Sequence, residues 1–244
     1  MEKSMNKYIL ITGASGGIGR AIAKKLAKEG YSLYLHYFSN QKSVNELLYE
    51  IQPYGGEYIP IQADLSVPDG YKLVVKNIFS LHGIIHNSGN SHVGMLTDLE
   101  QEVLENILRI HVTSPILLTK ELLPKILSHN EGSIVMISSI WGQIGAACET
   151  AYSAAKGAQI AFVKALSKEL ALSGIRVNAV APGAIETAML DGFSKEELEE
   201  IQGEIPMGKI GNPENIADAV QFLLSERASY MTGQVLSVNG GWFM

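Results

Sequence analysis

Residues 8–23 read YILITGASGGIGRAIA, and this stretch decides the fold class. Its first four residues are apolar and typical of a strand, while from Ile18 onward apolar residues recur at the spacing of an amphipathic helix. Between them lies a glycine-rich turn, which allows the backbone to approach a ligand closely. A strand, a glycine turn and a helix in this order predict a dinucleotide site, with a pyrophosphate held at the start of the helix.

The rest of the chain repeats this alternation of strand and helix. About seven strands separated by helices predict a Rossmann-type, doubly wound α/β fold, in which a seven-stranded parallel sheet carries helices on both faces. We expect one domain over 1–244, with a cofactor-binding part at about 7–130 and a catalytic and substrate part at about 131–244. Segment 184–213 is charged and interrupts the rhythm, so we interpret it as a lid. Further strand-like runs lie at 33–35, 58–61, 83–86, 134–137, 177–180 and 235–238.

Composition excludes several classes of function. The 244 residues are 46% hydrophobic and 18% charged, and the net charge of -6 includes no basic run of the kind that binds nucleic acid. No apolar stretch reaches the ~18 to 20 residues that span a bilayer. The start is too short and polar for a signal peptide, so we expect a cytoplasmic protein without a membrane partner. Because Cys148 is the only cysteine, neither a disulfide nor a thiolate metal site is expected.

The turn and the second strand predict the cofactor contacts. The second strand ends LHYFSN at 35–40 without an acid. A carboxylate there would hold the ribose of NAD and repel a 2′-phosphate, so its absence favours NADPH over NADH. Asp64, at the end of the third strand, could accept from the adenine amino group or cap a helix, and both interpretations stay open. The predicted contacts of these segments are Gly13, Ser15, Gly16, Gly17, Ile18, Gly19, Tyr37, Ser39, Asn40 and Asp64.

Three side chains predict chemistry on a carbonyl. Tyr152 and Lys156 are four residues apart in a helical segment and therefore share one face. We expect the ammonium to lower the tyrosine pKa, so that Tyr152 serves as a general acid or base. Ser139 follows an apolar strand, at the sheet edge where ligands of α/β proteins bind, and can donate to a developing oxyanion.

With these motifs in order, the whole chain resembles the short-chain dehydrogenase/reductase family, particularly its 3-oxoacyl-(acyl-carrier-protein) reductase-like branch. The resemblance implies hydride transfer between a nicotinamide and a ketone or alcohol, with Ser139, Tyr152 and Lys156 catalytic, and a homotetramer. It also implies that Tyr152 and Lys156 contact the cofactor. The further cofactor contacts that it implies are Leu65, Asn87, Ser88, Gly89, Pro182, Gly183, Ile185 and Thr187.

The sequence departs from the family pattern at several places, and two of these departures bear on the proton relay and on the carrier. The family's fourth catalytic residue is an asparagine, and His111 stands there. His111 either replaces the asparagine in the proton relay or is a hydrogen-bonded helix histidine with no catalytic part. Carrier-protein reductases hold an acidic carrier with basic residues beside the active-site mouth, whereas the corresponding positions here are Asn130 and Ser173.

A narrower resemblance is to a Bacillus-type subgroup that reduces an aminopentanone ketone attached to a lysine of elongation factor P. In that case Trp141 lines the substrate pocket and Glu149 pairs with a substrate amine. The alternatives are a core tryptophan and an acid favoured by the start of a helix.

Our hypothesis is therefore an NADPH-dependent carbonyl reductase acting on a tethered ketone, best represented by the aminopentanone group on elongation factor P. One alternative is a 3-oxoacyl-(acyl-carrier-protein) reductase of fatty-acid synthesis, whose ketone arrives on acyl carrier protein. A second, from another class, is a non-catalytic NADPH-binding regulator, which the change at His111 would favour.

Overall fold

A computed structural model describes residues 7–244 of the chain. Seven strands form one parallel sheet in the order β3-β2-β1-β4-β5-β6-β7. The strands are β1 Tyr8–Ile11, β2 Ser32–Tyr37, β3 Tyr58–Gln62, β4 Gly83–His86, β5 Gly132–Ile137, β6 Ile175–Pro182 and β7 Val235–Val238. The sequence prediction of a single-domain, doubly wound fold is confirmed, because the order reverses between β1 and β4 and leaves a crevice there for a ligand.

One or two α-helices connect each strand to the next. They are α1 Gly17–Lys28, α2 Gln41–Ile51, α3 Gly70–Lys76, α4 Gln101–Leu108, α5 Ser114–Leu127, α6 Trp141–Ile144, α7 Thr150–Leu170, α8 Lys195–Glu204 and α9 Pro213–Leu224. A π-helical turn, Arg109–Thr113, joins α4 to α5. None of the helices within residues 7–244 is long and apolar enough to cross a membrane.

Alternate strand residues face two separate cores. Ile9 and Ile11 of β1 pack with α1, α2 and α9 on one face of the sheet, whereas Leu10 packs with α3, α5 and α7 on the other. All three strand residues are at most 2% exposed. A strand buried on both faces reads as a continuous apolar run, which is the pattern of the first strand in the sequence.

The segment 184–213 leaves the sheet after β6 and returns to it before α9. Its helix α8 starts with a capping box, in which Ser194 and Glu197 each accept a hydrogen bond from the other's backbone N–H. A single parallel bridge between Ile185 and Gly211 brings the two ends of the segment together. Helix α8 lies at the carboxyl edge of the sheet, beside the cavity described below.

Candidate active site

The glycine loop joins β1 to α1 at the carboxyl edge of the sheet. Gly13 has φ +69°, which favours glycine, and a Cβ on Gly17 would lie 2.8 Å from Thr187 Cγ2. Gly16 precedes α1, and no side-chain hydrogen bond caps this helix. The N–H groups of its first turn are therefore available to an anion, as a pyrophosphate site requires.

Asn87, directly after β4, holds this loop in place. Its Nδ2 donates to the carbonyl oxygens of Thr12 and Gly13, at 3.0 and 3.1 Å. Thr12 Oγ1 in turn accepts from the backbone N–H groups of Asn87 and Ser88, at 2.9 and 3.0 Å. The predicted cofactor residues Gly13, Asn87 and Ser88, which follow β1 and β4, are thus joined through Thr12 into one hydrogen-bonded unit.

A cleft of about 500 Å³ lies over the glycine loop. Gly19 is buried away from it, and a Cβ there would meet the Gly13 carbonyl oxygen at 2.2 Å, so this glycine serves the packing of the loop. The predicted cofactor residues that line the cleft are Gly13, Ser15, Gly16, Gly17, Ile18, Asp64, Leu65, Asn87, Ser88, Gly89 and Thr187.

The end of β2 differs from the sequence prediction, since Tyr37, Ser39 and Asn40 are absent from the cleft lining. Tyr37 is only 6% exposed, and the Asn40 side chain accepts from Ser43 N–H, which caps α2. The lining side chains of this segment are instead those of His36 and Phe38.

His36 is a residue that sequence reasoning missed. Its Nδ1 accepts from the Gly13 N–H at 3.2 Å, and its Nε2 lies 3.1 Å from the Ala63 carbonyl oxygen. Burial lowers the pKa of His36 to about 4, so the ring is neutral and can accept from the loop. Period-2 alternation along β2 separates His36 from Tyr37, but does not show which of them faces the ligand.

Asp64 lines the cleft, but it does not cap a helix. Its Oδ1 accepts from Ser66 N–H at 2.8 Å and from Ser66 Oγ at 2.6 Å, while α3 begins only at Gly70. The helix-cap interpretation is therefore wrong, because the carboxylate closes a local turn instead.

Ser139, Tyr152 and Lys156 converge on a second cavity of about 380 Å³. Ser139 follows β5, and its Oγ accepts from the Trp141 N–H at 3.1 Å. Tyr152 and Lys156 lie in the first two turns of α7, and Lys156 Nζ donates to the Ile137 carbonyl oxygen at 2.8 Å. All three side chains are less than 9% exposed, so the cavity holds its reactive groups away from bulk water.

The pKa of Tyr152 corrects the sequence prediction. Burial raises it, the Glu149 carboxylate raises it further, and only the hydrogen bond with Ser139 lowers it. Lys156 does not offset this, because burial lowers its own pKa to about 7 and its Nζ lies 5.3 Å from the centre of the Tyr152 ring. A dry environment disfavours both charges, so Tyr152 is a protonated donor at neutral pH.

His111 lines the same cavity from the π-helical turn and is 1% exposed. Its Nε2 lies 2.7 Å from the Asn90 carbonyl oxygen, while Nδ1 has no partner among the described residues. Gln159 Nε2 donates to the His111 carbonyl oxygen at 2.8 Å. Gln159 was not identified from the sequence, because a buried glutamine becomes recognisable only once the turn that it supports is known.

The rest of the cavity lining comes from the region of α6 and the start of α7, from the end of β6, from the lid segment and from the C-terminal residues. Trp141 and Glu149 line the cavity as predicted, and Glu149 directly precedes α7. Glu204 and Trp242 also line it, although no local motif marks either residue. The predicted residues of the β6 end that line the cavity are Pro182, Gly183, Ile185 and Thr187.

The two cavities form a continuous site. Five residues line both of them: Ile18, Asn87, Gly89, Thr187 and Met189. A dinucleotide that extends from the glycine loop toward β6 would therefore end beside Tyr152. This arrangement can hold a nicotinamide cofactor and bring a carbonyl to a buried proton donor.

Comparison with known proteins gives the site its context. A family model described as "Enoyl-(Acyl carrier protein) reductase" matches residues 13–243. The "Uncharacterized oxidoreductase YmfI" of Bacillus subtilis is 53% identical over 240 residues, covering 98% of this chain and 99% of the relative. The 3-oxoacyl-[acyl-carrier-protein] reductase FabG of Staphylococcus aureus is 34% identical over 244 residues, covering 98% and 99%. Its Aquifex aeolicus counterpart is 36% identical over 246 residues, covering 99% of each.

A solved structure agrees with these relatives. The angucycline C-6 ketoreductase LanV with bound NADP superposes with a TM-score of 0.91 at 27% identity, covering 97% of this chain and 95% of that one. Residues 13–243, which the family model matches, include the glycine loop together with Ser139, Tyr152 and Lys156. The chain belongs to the short-chain dehydrogenase/reductase family and is an NAD(P)H-dependent oxidoreductase.

Proposed function

We propose that this protein reduces a tethered ketone to a secondary alcohol with NADPH. The observation that carries the proposal is the convergence of Ser139, Tyr152 and Lys156 on a cavity that opens into the glycine-loop cleft. Neither cavity alone would suffice for ketone reduction, because the cofactor and the proton donor must both reach the same carbonyl group.

The side chains have separate tasks in this reduction. Bound NADPH supplies the hydride. Tyr152, protonated at neutral pH because burial raises its pKa, gives its proton to the carbonyl oxygen. Ser139 donates a hydrogen bond to the same oxygen as negative charge develops on it. Lys156 Nζ is anchored on the Ile137 carbonyl oxygen. From there it would hold the ribose of a bound cofactor and return a proton toward Tyr152.

Several features of the cleft support NADPH as the cofactor. Asp64 is the only acid among the described residues that line it, and it lies after β3, not at the end of β2. The end of β2 offers His36 and Phe38, so no carboxylate faces a ribose 2′-phosphate there. The LanV structure contains bound NADP, which fits this preference.

We further propose that the ketone is the aminopentanone group on a lysine of elongation factor P. Asn130 and Ser173 occupy the positions at which carrier-protein reductases present basic residues, which disfavours an acidic carrier. The acyl-carrier-protein alternative remains the second candidate, because the FabG relatives are named for that substrate and are 34 to 36% identical. We expect a cytoplasmic homotetramer in either case.

Turnover of two substrates separates these candidates. NADPH oxidation would be followed with elongation factor P carrying the aminopentanone and, separately, with a 3-oxoacyl-acyl carrier protein. We expect higher kcat/KM on the former, and activity on neither in the Tyr152→Phe variant. Preference for the acyl carrier would reverse the assignment. Tight NADPH binding without turnover of any ketone would instead support the non-catalytic regulator.

A further inference from the structure

Both tryptophans of the chain meet on one wall of the reaction cavity. Trp141 begins α6, and Trp242 follows β7 near the C-terminus. Their ring centres are 5.1 Å apart with 65° between the planes, an edge-to-face arrangement. Two indoles from distant parts of the chain therefore form a single aromatic surface, with both rings lining the cavity.

A carboxylate accompanies each indole. Trp242 Nε1 donates to Glu204 Oε2 at 3.2 Å. Burial raises the pKa of the Glu149 carboxyl, and a hydrogen bond from Trp141 offsets part of that rise. These four side chains, Glu149, Trp141, Trp242 and Glu204, all line the cavity, and we call them the acidic-aromatic wall.

The charges in the cavity are unequal. Among the described residues that line it, the acids are Glu149 and Glu204, and the bases are Lys156 and His111. Burial lowers the pKa of His111 to about 3, so its ring is neutral, and Lys156 is bound to a carbonyl oxygen of β5. Neither basic residue of the lining is therefore available to pair with the carboxylates of the acidic-aromatic wall.

The lid helix extends this negative charge outward. The sequence of α8 is KEELEEIQGE, which contains five glutamates and one lysine, and Glu204 is its last residue. Beside Tyr152, the nearly buried His111 ring presents an Nδ1 that has no hydrogen-bond partner among the described residues. The cavity therefore suits a ligand with polar atoms near the catalytic residues and positive charge near the lid.

We propose that the acidic-aromatic wall binds an ammonium group of the substrate, which selects ketones that carry a cation a few bonds from the carbonyl. The inference rests on the proposed ketone reduction and adds Glu204 and Trp242 as specificity-determining residues. Indole faces attract cations through their quadrupole, and the two carboxylates add Coulomb attraction. The same charges repel a substrate with a carboxylate or phosphate at that distance.

Two ketones of equal shape test this. Trimethyl(4-oxopentyl)ammonium and 6,6-dimethylheptan-2-one differ by one positive charge, and neither can cyclise as a primary aminoketone does. NADPH oxidation gives kcat/KM for both. Because the chain has only two tryptophans, both in the wall, their fluorescence in the presence of NADP⁺ measures Kd without turnover.

We expect the wild-type protein to prefer the ammonium ketone about tenfold in both kcat/KM and Kd. A cation–π contact, together with attraction to partly exposed carboxylates, would give a preference of that size. Glu204→Gln, Glu149→Gln and Trp242→Phe should each reduce that preference about threefold. Glu200→Gln is the matched control, because Glu200 is an exposed residue of the same helix outside the cavity lining.

The outcomes separate the two proposals. Reduction of both ketones with equal kcat/KM and equal Kd would overturn the ammonium site and leave the ketone reductase intact. A preference that survives all three cavity variants would overturn the assignment to this wall. Selective binding of the ammonium ketone without reduction of any ketone would support the site while contradicting the proposed reaction.

Discussion

The rings of His111 and Tyr152 are perpendicular, with centroids 5.4 Å apart. His111 Nε2 lies 2.7 Å from the Asn90 carbonyl oxygen and 3.3 Å from the Asn90 backbone nitrogen, and we place the ring proton on Nε2 because the contact with the carbonyl oxygen is the shorter one. A proton relay would need both ring nitrogens, and Nε2 is engaged by backbone. The lowered pKa of about 3 also keeps the ring from carrying a proton as imidazolium at neutral pH. We interpret His111 as a positioning residue for Tyr152.

His111→Phe tests this interpretation, because it keeps an aromatic ring against Tyr152 and removes both nitrogens. We expect kcat to fall less than about tenfold, since loss of a general acid or base costs 10²- to 10⁴-fold. The KM for NADPH should rise, because Asn90 lines the cofactor cleft and loses its hydrogen-bond donor. Steady-state kinetics over a range of pH gives both values. A kcat loss of about 10²-fold or more with a displaced pH profile would establish the relay instead.

The fold was predictable because its signals are local. The apolar strand Tyr8–Ile11 and the glycine turn after it lie together in the sequence, and hydrophobic periodicity identified each later unit. Tyr152 and Lys156 were identifiable for the same reason, since a four-residue helical spacing brings them together.

The missing parts of the site depend on tertiary contacts. Glu204 and Trp242 meet only because the C-terminal residues return to the lid, 38 positions apart in the chain. The predicted pKa of Tyr152 had the wrong direction, because a sequence places Lys156 nearby but does not show that both groups are buried. Burial then outweighs the attraction between them.

Gly89 and His111 form a second testable pair. A Cβ on Gly89 would lie 2.4 Å from His111 Cε1, a distance that forces the ring to move. We expect Gly89→Ala to lower the free energy of unfolding by about 1 to 3 kcal/mol and to reduce kcat, because the displaced ring presses on Tyr152.

A double-mutant cycle isolates this contact. In a His111→Ala background, Gly89→Ala should cost less than about 1 kcal/mol, since the clashing ring is gone. Chemical denaturation of the wild type, both single variants and the double variant gives the coupling energy. Equal costs of Gly89→Ala in the two backgrounds would show that strain at Gly89 does not arise from the histidine.

We expect Lys156 to lower the stability of the folded protein although activity requires it. Burial lowers its pKa to about 7 in the folded protein, compared with about 10.4 when unfolded. Below about pH 7, Lys156 is protonated in both the folded and the unfolded protein, and the free energy of unfolding is reduced by the full cost of burying the ammonium charge. That cost declines as pH rises from about 7 to 10.4, because the unfolded state then binds more protons than the folded state.

We therefore expect Lys156→Met to be inactive yet more stable than the wild type at about pH 6, by on the order of 2 kcal/mol after loss of the bond to Ile137. The difference in unfolding free energy should shrink as pH approaches 10. Lys164→Met, on the exposed side of the same helix, is the matched control for the exchange of lysine for methionine. A pH-independent difference for Lys156→Met would mean that the ammonium is hydrated in the folded protein.

We expect the residues at the end of β2 to determine the preference for NADPH over NADH. Phe38 is 57% exposed and lines the cleft directly after this strand. An acid there would accept hydrogen bonds from the ribose hydroxyls of NADH and repel the 2′-phosphate of NADPH. We expect Phe38→Asp to lower the ratio of kcat/KM for NADPH to that for NADH at least about tenfold, which corresponds to about 1.4 kcal/mol.

Tyr49→Asp is the matched control, because Tyr49 is 79% exposed on α2 and lies outside the cleft lining. It makes the same change of an exposed aromatic residue to an acid, so it reports the effect of net charge alone. Initial rates with each cofactor at a fixed ketone concentration suffice for the comparison. If both variants keep the wild-type ratio, the ribose 2′ position does not face Phe38, and the basis of NADPH preference must lie elsewhere in the cleft.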